Sequence, residues 1–179
     1  AVYNALQPGD FVTIQFGHND ICPITDAKAR GVIAESKDTL HVYRLDNGTY
    51  EVVYSFGWYL KKMIDDCREK GATPILVSLT PRNEWPGGRI ERRNDTYGKW
   101  YREVVAQTGV AFVDVHNISA DFLDKKFASS NAEKSKSKAS RYFNHDHTHT
   151  SKLGAQMNAR SVAKGLRDIN SPLAKYLRK

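Results

Sequence analysis

Residues 7–20 read QPGDFVTIQFGHND, an apolar run held between two turn signals, and the expected fold follows from it. Residues 11–16 (FVTIQF) are β-branched and aromatic, with Pro8-Gly9-Asp10 before them and Gly17 after. That pattern predicts a short buried strand. Two other runs share its character: 74–79 (PILVSL), preceded by Gly71 and closed by Thr80-Pro81, and 110–115 (VAFVDV), preceded by Gly109. Apolar runs without alternation belong to strands covered on both faces in a parallel sheet.

Helical patterns separate these runs. Phe56, Tyr59, Leu60, Met63, Ile64 and Cys67 recur at spacings of three and four, with Lys61, Lys62, Asp65, Asp66 and Arg68 opposite and Gly71 as a stop. Tyr97, Trp100, Tyr101, Val104 and Val105 repeat the pattern up to Gly109. A last helix is expected from Thr150-Ser151, which can cap it, carrying Leu153, Met157, Val162, Leu166 and Ile169 inward. Strand and helix in alternation predict an α/β fold, a three-layer α/β/α sandwich with a parallel sheet and right-handed crossovers. Two segments interrupt it. Residues 23–54 are polar, with a hairpin expected around Asp46-Asn47-Gly48. Residues 124–141 (DKKFASSNAEKSKSKASR) are Lys/Ser-rich and are expected to form a mobile surface loop. With no internal repeat, one domain is expected over 1–179. Three strands make a thin sheet with open edges, and the first begins at Phe11, so further strands are expected upstream.

Composition narrows the class. The chain has 179 residues, of which 40% are hydrophobic and 11% aromatic. It can build a core and is neither disordered nor a membrane protein by pattern. No stretch approaches the roughly 18 apolar residues of a spanning helix, and the first residues lack the order of a secretory leader. The net charge of +7 is concentrated in 125–141 and in Lys175, Arg178 and Lys179. Charge alone admits nucleic acid, an acidic polymer such as a polyuronate, or ordinary solubility. Neither basic segment interleaves aromatics for base stacking, so no nucleic-acid partner is expected. Two cysteines, Cys22 and Cys67, form neither a disulfide framework nor a zinc spacing. Cys67 falls on an apolar helix face, as a small buried hydrophobe does.

The chemistry-bearing residues form two blocks. Gly17-His18-Asn19-Asp20 closes the first strand at the sheet edge where ligands bind in open α/β folds. Gly17 permits a sharp turn, and the Asn19 amide can donate to a developing oxyanion. By themselves, the four residues equally suit a polar strand-to-helix turn. The second block, NHDHTHTS at 144–151, precedes the last helix. Asp146 and His149 stand three apart; in a tight turn the carboxylate fixes one ring nitrogen and leaves the other as a general base. His145, His147 and His149 alternate and would share one face as metal ligands, but His18, His41 and His116 are scattered and add no ligand cluster. A capping turn with surface histidines is the plain alternative. Together, an amide donor and an Asp/His pair are parts of an acyl-transfer site.

With both blocks in this order, the chain resembles the SGNH (GDSL-like) hydrolases and, within them, the rhamnogalacturonan acetylesterase family. The resemblance runs through 7–20, FGWYLKKMIDDCREKGATPILVSLTPR at 56–82, YGKWYREVVAQTGVAFVDV at 97–115 and DHTHTSKLGAQMNARSVAKGL at 146–166. It implies a flavodoxin-like three-layer fold and hydrolysis of acetyl esters on the rhamnogalacturonan backbone of pectin, without metal or other cofactor. By position it makes His149 the catalytic base, Asp146 its orienting acid and Asn19 the oxyanion donor, with Gly17 shaping the turn; His147 and Thr148 take no catalytic part. The family's G-D-S block, which carries the nucleophile, has no counterpart in 1–179, and Ser36, Ser55, Ser78 and Ser119 match no nucleophile position. The expectation is therefore the C-terminal portion of an SGNH domain with its serine upstream, close to inactive alone. Its implied partner is an acetylated pectic polysaccharide or oligosaccharide, with no membrane partner and an extracellular or periplasmic setting. The alternatives are a non-catalytic remnant that binds acidic polysaccharide, and a metal- or nucleic-acid-binding module built on the histidines and basic segments.

Overall fold

The computed structural model describes residues 2–26 and 31–178. Lys179, counted above with the basic C-terminal residues, and residues 27–30 of the polar segment lie outside the described residues. In chain order the elements are α1 (Val2–Ala5), β1 (Phe11–Ile14), β2 (Leu40–Arg44), β3 (Tyr50–Tyr54), α2 (Phe56–Glu69), β4 (Thr73–Val77) and α3 (Tyr97–Thr108). They continue with β5 (Ala111–Val113), α4 (Val115–Phe127), α5 (Ala132–Ala139) and α6 (Lys152–Asp168). The sheet runs β1-β4-β5, with β1 parallel to β4 from Phe11 opposite Thr73 to Ile14 opposite Leu76. This is the expected α/β class with a parallel sheet. The chain divides into two compact units: residues up to Leu76 with Asp95–Phe112, and Val77–Asn94 with the residues from Val113 onward.

Within the sheet the central strand is the well-covered one. Pro74, Ile75, Leu76 and Val77 are all buried, whereas β1 exposes Thr13 and β5 exposes Ala111. Cover on both faces was expected of all three strands; it holds for β4 alone, because β1 and β5 are the sheet's edges. β1 also stops at Ile14, short of 16. Phe16, 57% exposed, leaves the strand because its backbone is taken by a side chain: its N–H donates to the Tyr101 hydroxyl at 3.2 Å, and that hydroxyl donates to its carbonyl at 2.6 Å. Ser55 caps α2 by accepting from the Trp58 N–H at 3.1 Å. The helix then buries Phe56, Leu60, Ile64 and Cys67 at the expected spacing. Phe56 meets Tyr97 and Tyr101 of α3 edge-on, with ring centroids 5.2 and 5.3 Å apart, the arrangement that aromatic quadrupoles favour. β2 and β3 form the expected hairpin, Leu40 opposite Tyr54 through Arg44 opposite Tyr50.

The second unit is helical around a core of Trp85, Ile90, Leu123, Tyr142, Phe143 and Met157, with Ala120 and Ala139 filling the close approaches. Three expectations are corrected here. The strand expected over 110–115 ends at Val113, because Asp114 instead caps α4, its carboxylate accepting from the Asn117 N–H at 3.2 Å. The loop expected over 124–141 contains the end of α4, all of α5 and a single 3₁₀ turn at Ser140–Tyr142. α5 carries no large apolar residue. It is capped by Asn131, whose Oδ1 accepts from the Lys134 N–H at 2.9 Å, and it buries two small residues four apart, Ser135 and Ala139. Ser135 Oγ donates to the Gly88 carbonyl at 3.3 Å. In α6, Met157 and Leu166 face inward as expected, but Ile169 caps the helix C-terminus and is 38% exposed.

Candidate active site

The segment from 144 to 149 is a small loop closed at its base. Phe143 bridges Thr150, the Asn144 N–H donates to the His149 carbonyl at 2.8 Å, and the Ser151 N–H donates to the Tyr142 carbonyl at 3.0 Å. Tyr142 and Phe143 belong to the core, so the base is anchored in buried apolar surface. Ser151 also caps α6 as expected, accepting from the Gly154 N–H at 3.2 Å while its hydroxyl donates to the Arg141 carbonyl at 2.7 Å. This close meeting of helix and loop needs a glycine: a Cβ on Gly154 would stand 1.9 Å from the Tyr142 carbonyl oxygen.

Inside the loop, Asp146 makes three hydrogen bonds. Its Oδ1 accepts from the N–H groups of Thr148 and His149, each at 2.7 Å. Its Oδ2 lies 2.6 Å from His149 Nδ1. Asp146 and His149 are thus brought together as a carboxylate–imidazole pair. The His149 ring bond, followed by the backbone donors, holds the Asp146 carboxyl well below the usual carboxylate range. An ionised acceptor at Nδ1 assigns the proton to that nitrogen and leaves Nε2 with its lone pair. The His149 side chain is 75% exposed and open to a reactant.

The tip of the loop is pinned by a segment that sequence reasoning missed. The Asn83 N–H donates to the His147 carbonyl at 2.7 Å, and Asn83 Oδ1 accepts from the indole N–H of buried Trp85, also at 2.7 Å. The Glu84 carboxylate stands 3.7 Å from His147 Nδ1. The available signal was position: 83–85 follows β4 at its C-terminal end, the edge of an α/β sheet where binding loops gather. Ser78, just beyond β4, is buried, donates to Asp114 Oδ1 at 2.9 Å and accepts from the His116 N–H at 2.9 Å. Its hydroxyl serves the α4 cap. Among the described residues, no three His, Cys, Asp or Glu side chains group as a metal site, and no helix is long and apolar enough to cross a membrane.

Gly17 and Asn19 lie in the first unit, around a cavity of about 300 Å³ lined by residues 15–20. Gly17 has φ +133°, a conformation that disfavours any side chain, and its carbonyl accepts from the Asp20 N–H at 3.2 Å. The exposed Asn19 follows that turn, and its carbonyl accepts from the Cys22 N–H at 3.1 Å. Partial burial pushes the Asp20 carboxyl up. Tyr101 is the support that sequence reasoning read only as apolar: fully buried, its phenol pushed up by that burial, it holds Phe16 immediately before the turn.

Residues 2–157 match the GDSL-like Lipase/Acylhydrolase family. The chain belongs to that family. Among curated proteins this GDSL-like chain is 29% identical to the rhamnogalacturonan acetylesterase of Emericella nidulans, over 93% of the chain and 64% of the relative. It is 28% identical to the probable rhamnogalacturonan acetylesterase YesY of Bacillus subtilis, over 99% of the chain and 71% of the relative. The rhamnogalacturonan acetylesterase RhgT of the same organism is 27% identical, over 99% and 69%. The chain therefore spans about two thirds of the length of these relatives. A crystal structure of the Bacillus subtilis protein YXIM shares its fold, with a TM-score of 0.66 at 20% identity over 96% of the chain and 40% of that protein.

Proposed function

We propose that the chain carries the acid–base part of a GDSL-like esterase that removes acetyl groups from rhamnogalacturonan. The observation that carries this reading is the Asp146–His149 pair, joined at 2.6 Å with the remaining carboxylate oxygen fixed by two backbone N–H groups. The names of the three curated relatives supply the substrate. The nucleophile is the serine of the family's G-D-S block, a tripeptide that residues 1–179 do not contain. In this reading 1–179 is the C-terminal portion of one SGNH domain, and its polymer substrate sets an extracellular or periplasmic location.

His149 Nε2 takes the serine proton as the serine oxygen attacks the acetyl carbonyl. Asp146 stabilises the imidazolium that results, and the Asn19 amide donates to the oxyanion. The imidazolium then protonates the departing sugar oxygen, leaving an acetyl-serine. Water, deprotonated by the same nitrogen, attacks this ester, and the imidazolium returns that proton to the departing serine oxygen as acetate is released.

The test is acetate release from acetylated rhamnogalacturonan by the protein expressed from its full reading frame and from residues 1–179 alone. The full product is expected to be active, and His149→Ala to lower its rate by at least about 10³. The short product is expected at background. A His149→Ala variant with wild-type rate would overturn the assignment, and turnover by the short product would overturn the external serine.

A further inference from the structure

A cavity of about 460 Å³ opens beside the dyad loop, and every residue lining it is polar. On one side are Glu133, Lys136, Ser137 and Ser140, whose spacing of three, four and seven places them on one helical face. On the other are the loop residues 144–147, with Asn83 completing the lining. The volume falls within the ~300–1,000 Å³ of small-molecule sites, but such sites are lined mainly by apolar side chains. The polar groups that reach it are hydroxyls, amides, carboxylates, an ammonium and two imidazoles, set among the carbon stems of the same side chains, a mixture that suits the hydroxyl and C–H surfaces of a sugar. The wall is also well held. α5 is fastened through buried Ser135 and Ala139, and the Lys136 carbonyl accepts from Asn83 Nδ2 at 3.4 Å.

The charges narrow the ligand further. Lys136 brings the one lysine or arginine side chain among the lining residues, and it makes no ion pair with the described residues. A single ammonium suits a single carboxylate. Two carboxylates share the cavity, Glu133 and Asp146, and their repulsion disfavours a doubly charged phosphate ester. Asp146 is in addition engaged by Thr148 and His149. Glu133 remains as an acceptor for sugar hydroxyls.

We propose that this cleft is a subsite for a uronic acid residue of the polymer, with Lys136 Nζ taking the uronate carboxylate and Glu133, Ser137 and Asn144 taking ring hydroxyls. The assignment rests on the reading of Asp146 and His149 as the machinery of a sugar esterase, which would bring the ester-bearing part of the polymer to this loop. Binding here needs neither the serine nor His149, so it is measurable separately from acetate release.

The experiment titrates the protein expressed from its full reading frame with a galacturonate trimer and with its fully methyl-esterified, neutral counterpart at fixed ionic strength, following backbone amide shifts. The acidic trimer is expected to bind about tenfold more tightly than the neutral one and to shift 133–147. Lys136→Met is expected to erase that preference, Lys136→Arg to keep it, and Lys175→Met, elsewhere on the basic surface, to leave it unchanged. His149→Ala is expected to leave trimer binding intact. A loss of acetate release in that variant without loss of binding therefore separates the esterase reading from the subsite. Equal affinity for the two trimers, binding of neither, or a Lys136→Met variant that still prefers the acidic one would overturn the subsite.

Discussion

The two blocks of candidate site residues are braced in opposite ways. The loop 144–149 is braced mainly by its own neighbours: Asp146 bonds residues two and three positions on and Asn144 closes on His149, with one distant bond from Asn83 at its tip. The turn at Gly17 is braced from far away, by Tyr101, which lies 85 positions beyond the Phe16 backbone that it holds. Local bracing ties geometry to a short stretch of sequence. Distant bracing ties it to the packing of α3 against α2. Substitutions that break one kind of support should therefore leave a different trace from those that break the other.

The largest effect is expected at the local brace. Asp146→Asn keeps an oxygen for the backbone donors, but its amide donates towards Nδ1 and imposes the wrong tautomer on His149. Acetate release by the full-reading-frame protein should fall roughly 10³–10⁴-fold while the fold, read by circular dichroism, is unchanged. Asn19→Ala removes the amide proposed for the oxyanion and should lower kcat about 10²–10³-fold with little change in KM. Unchanged kcat would remove Asn19 from the mechanism.

Distant bracing should show itself in stability first. Tyr101→Phe keeps the aromatic cluster but leaves the Phe16 N–H and carbonyl without their partner. Urea unfolding should show a loss of about 1–3 kcal/mol. If the turn shifts with Phe16, kcat falls further than Asp146-centred pH behaviour can explain, and the pH profile keeps its shape. A Tyr101→Phe protein with wild-type stability would mean the turn holds itself.

The smallest effect concerns acid. Because the folded state depresses the Asp146 carboxyl, its contribution to stability is present above the ordinary Asp value of about 3.9 and is lost as pH falls through the lower folded value. The urea midpoints of wild type and Asp146→Asn should differ at neutral pH and converge only in strong acid. Convergence already near pH 5 would contradict the hydrogen-bonding described for this carboxylate.

The same contrast governs what was legible in sequence. Asp146, His149 and the Ser151 cap lie within six positions of one another, so spacing and turn chemistry offered the pair beside a capping turn and a metal site, and the resemblance singled it out. α2 and the hairpin were legible for similar reasons, one from large apolar residues at helical period and the other from Asp46-Asn47-Gly48. α5 was not, because it packs through Ser135 and Ala139, and small residues leave no mark on a hydrophobic pattern. The end of β5 was hidden because Asp114 and Val115 suit a strand as readily as the cap and first turn of α4. Tyr101 was read as one more apolar position. Nothing local reveals that its hydroxyl ends β1. Asn83 was invisible for the same reason, since its bond to His147 spans 64 positions of chain.

The three hydrogen bonds on Asp146 have a further consequence for the moment a proton moves. In water, creating a cation beside an anion makes surrounding dipoles turn, and that reorganisation is part of any barrier. Here the Thr148 and His149 amides already point at the carboxylate, and the loop that carries them is closed at its base by Phe143 and Thr150. In the proposed mechanism, where His149 becomes an imidazolium, the carboxylate that answers the new charge is already fixed by these N–H groups, so the local polar environment has little left to rearrange.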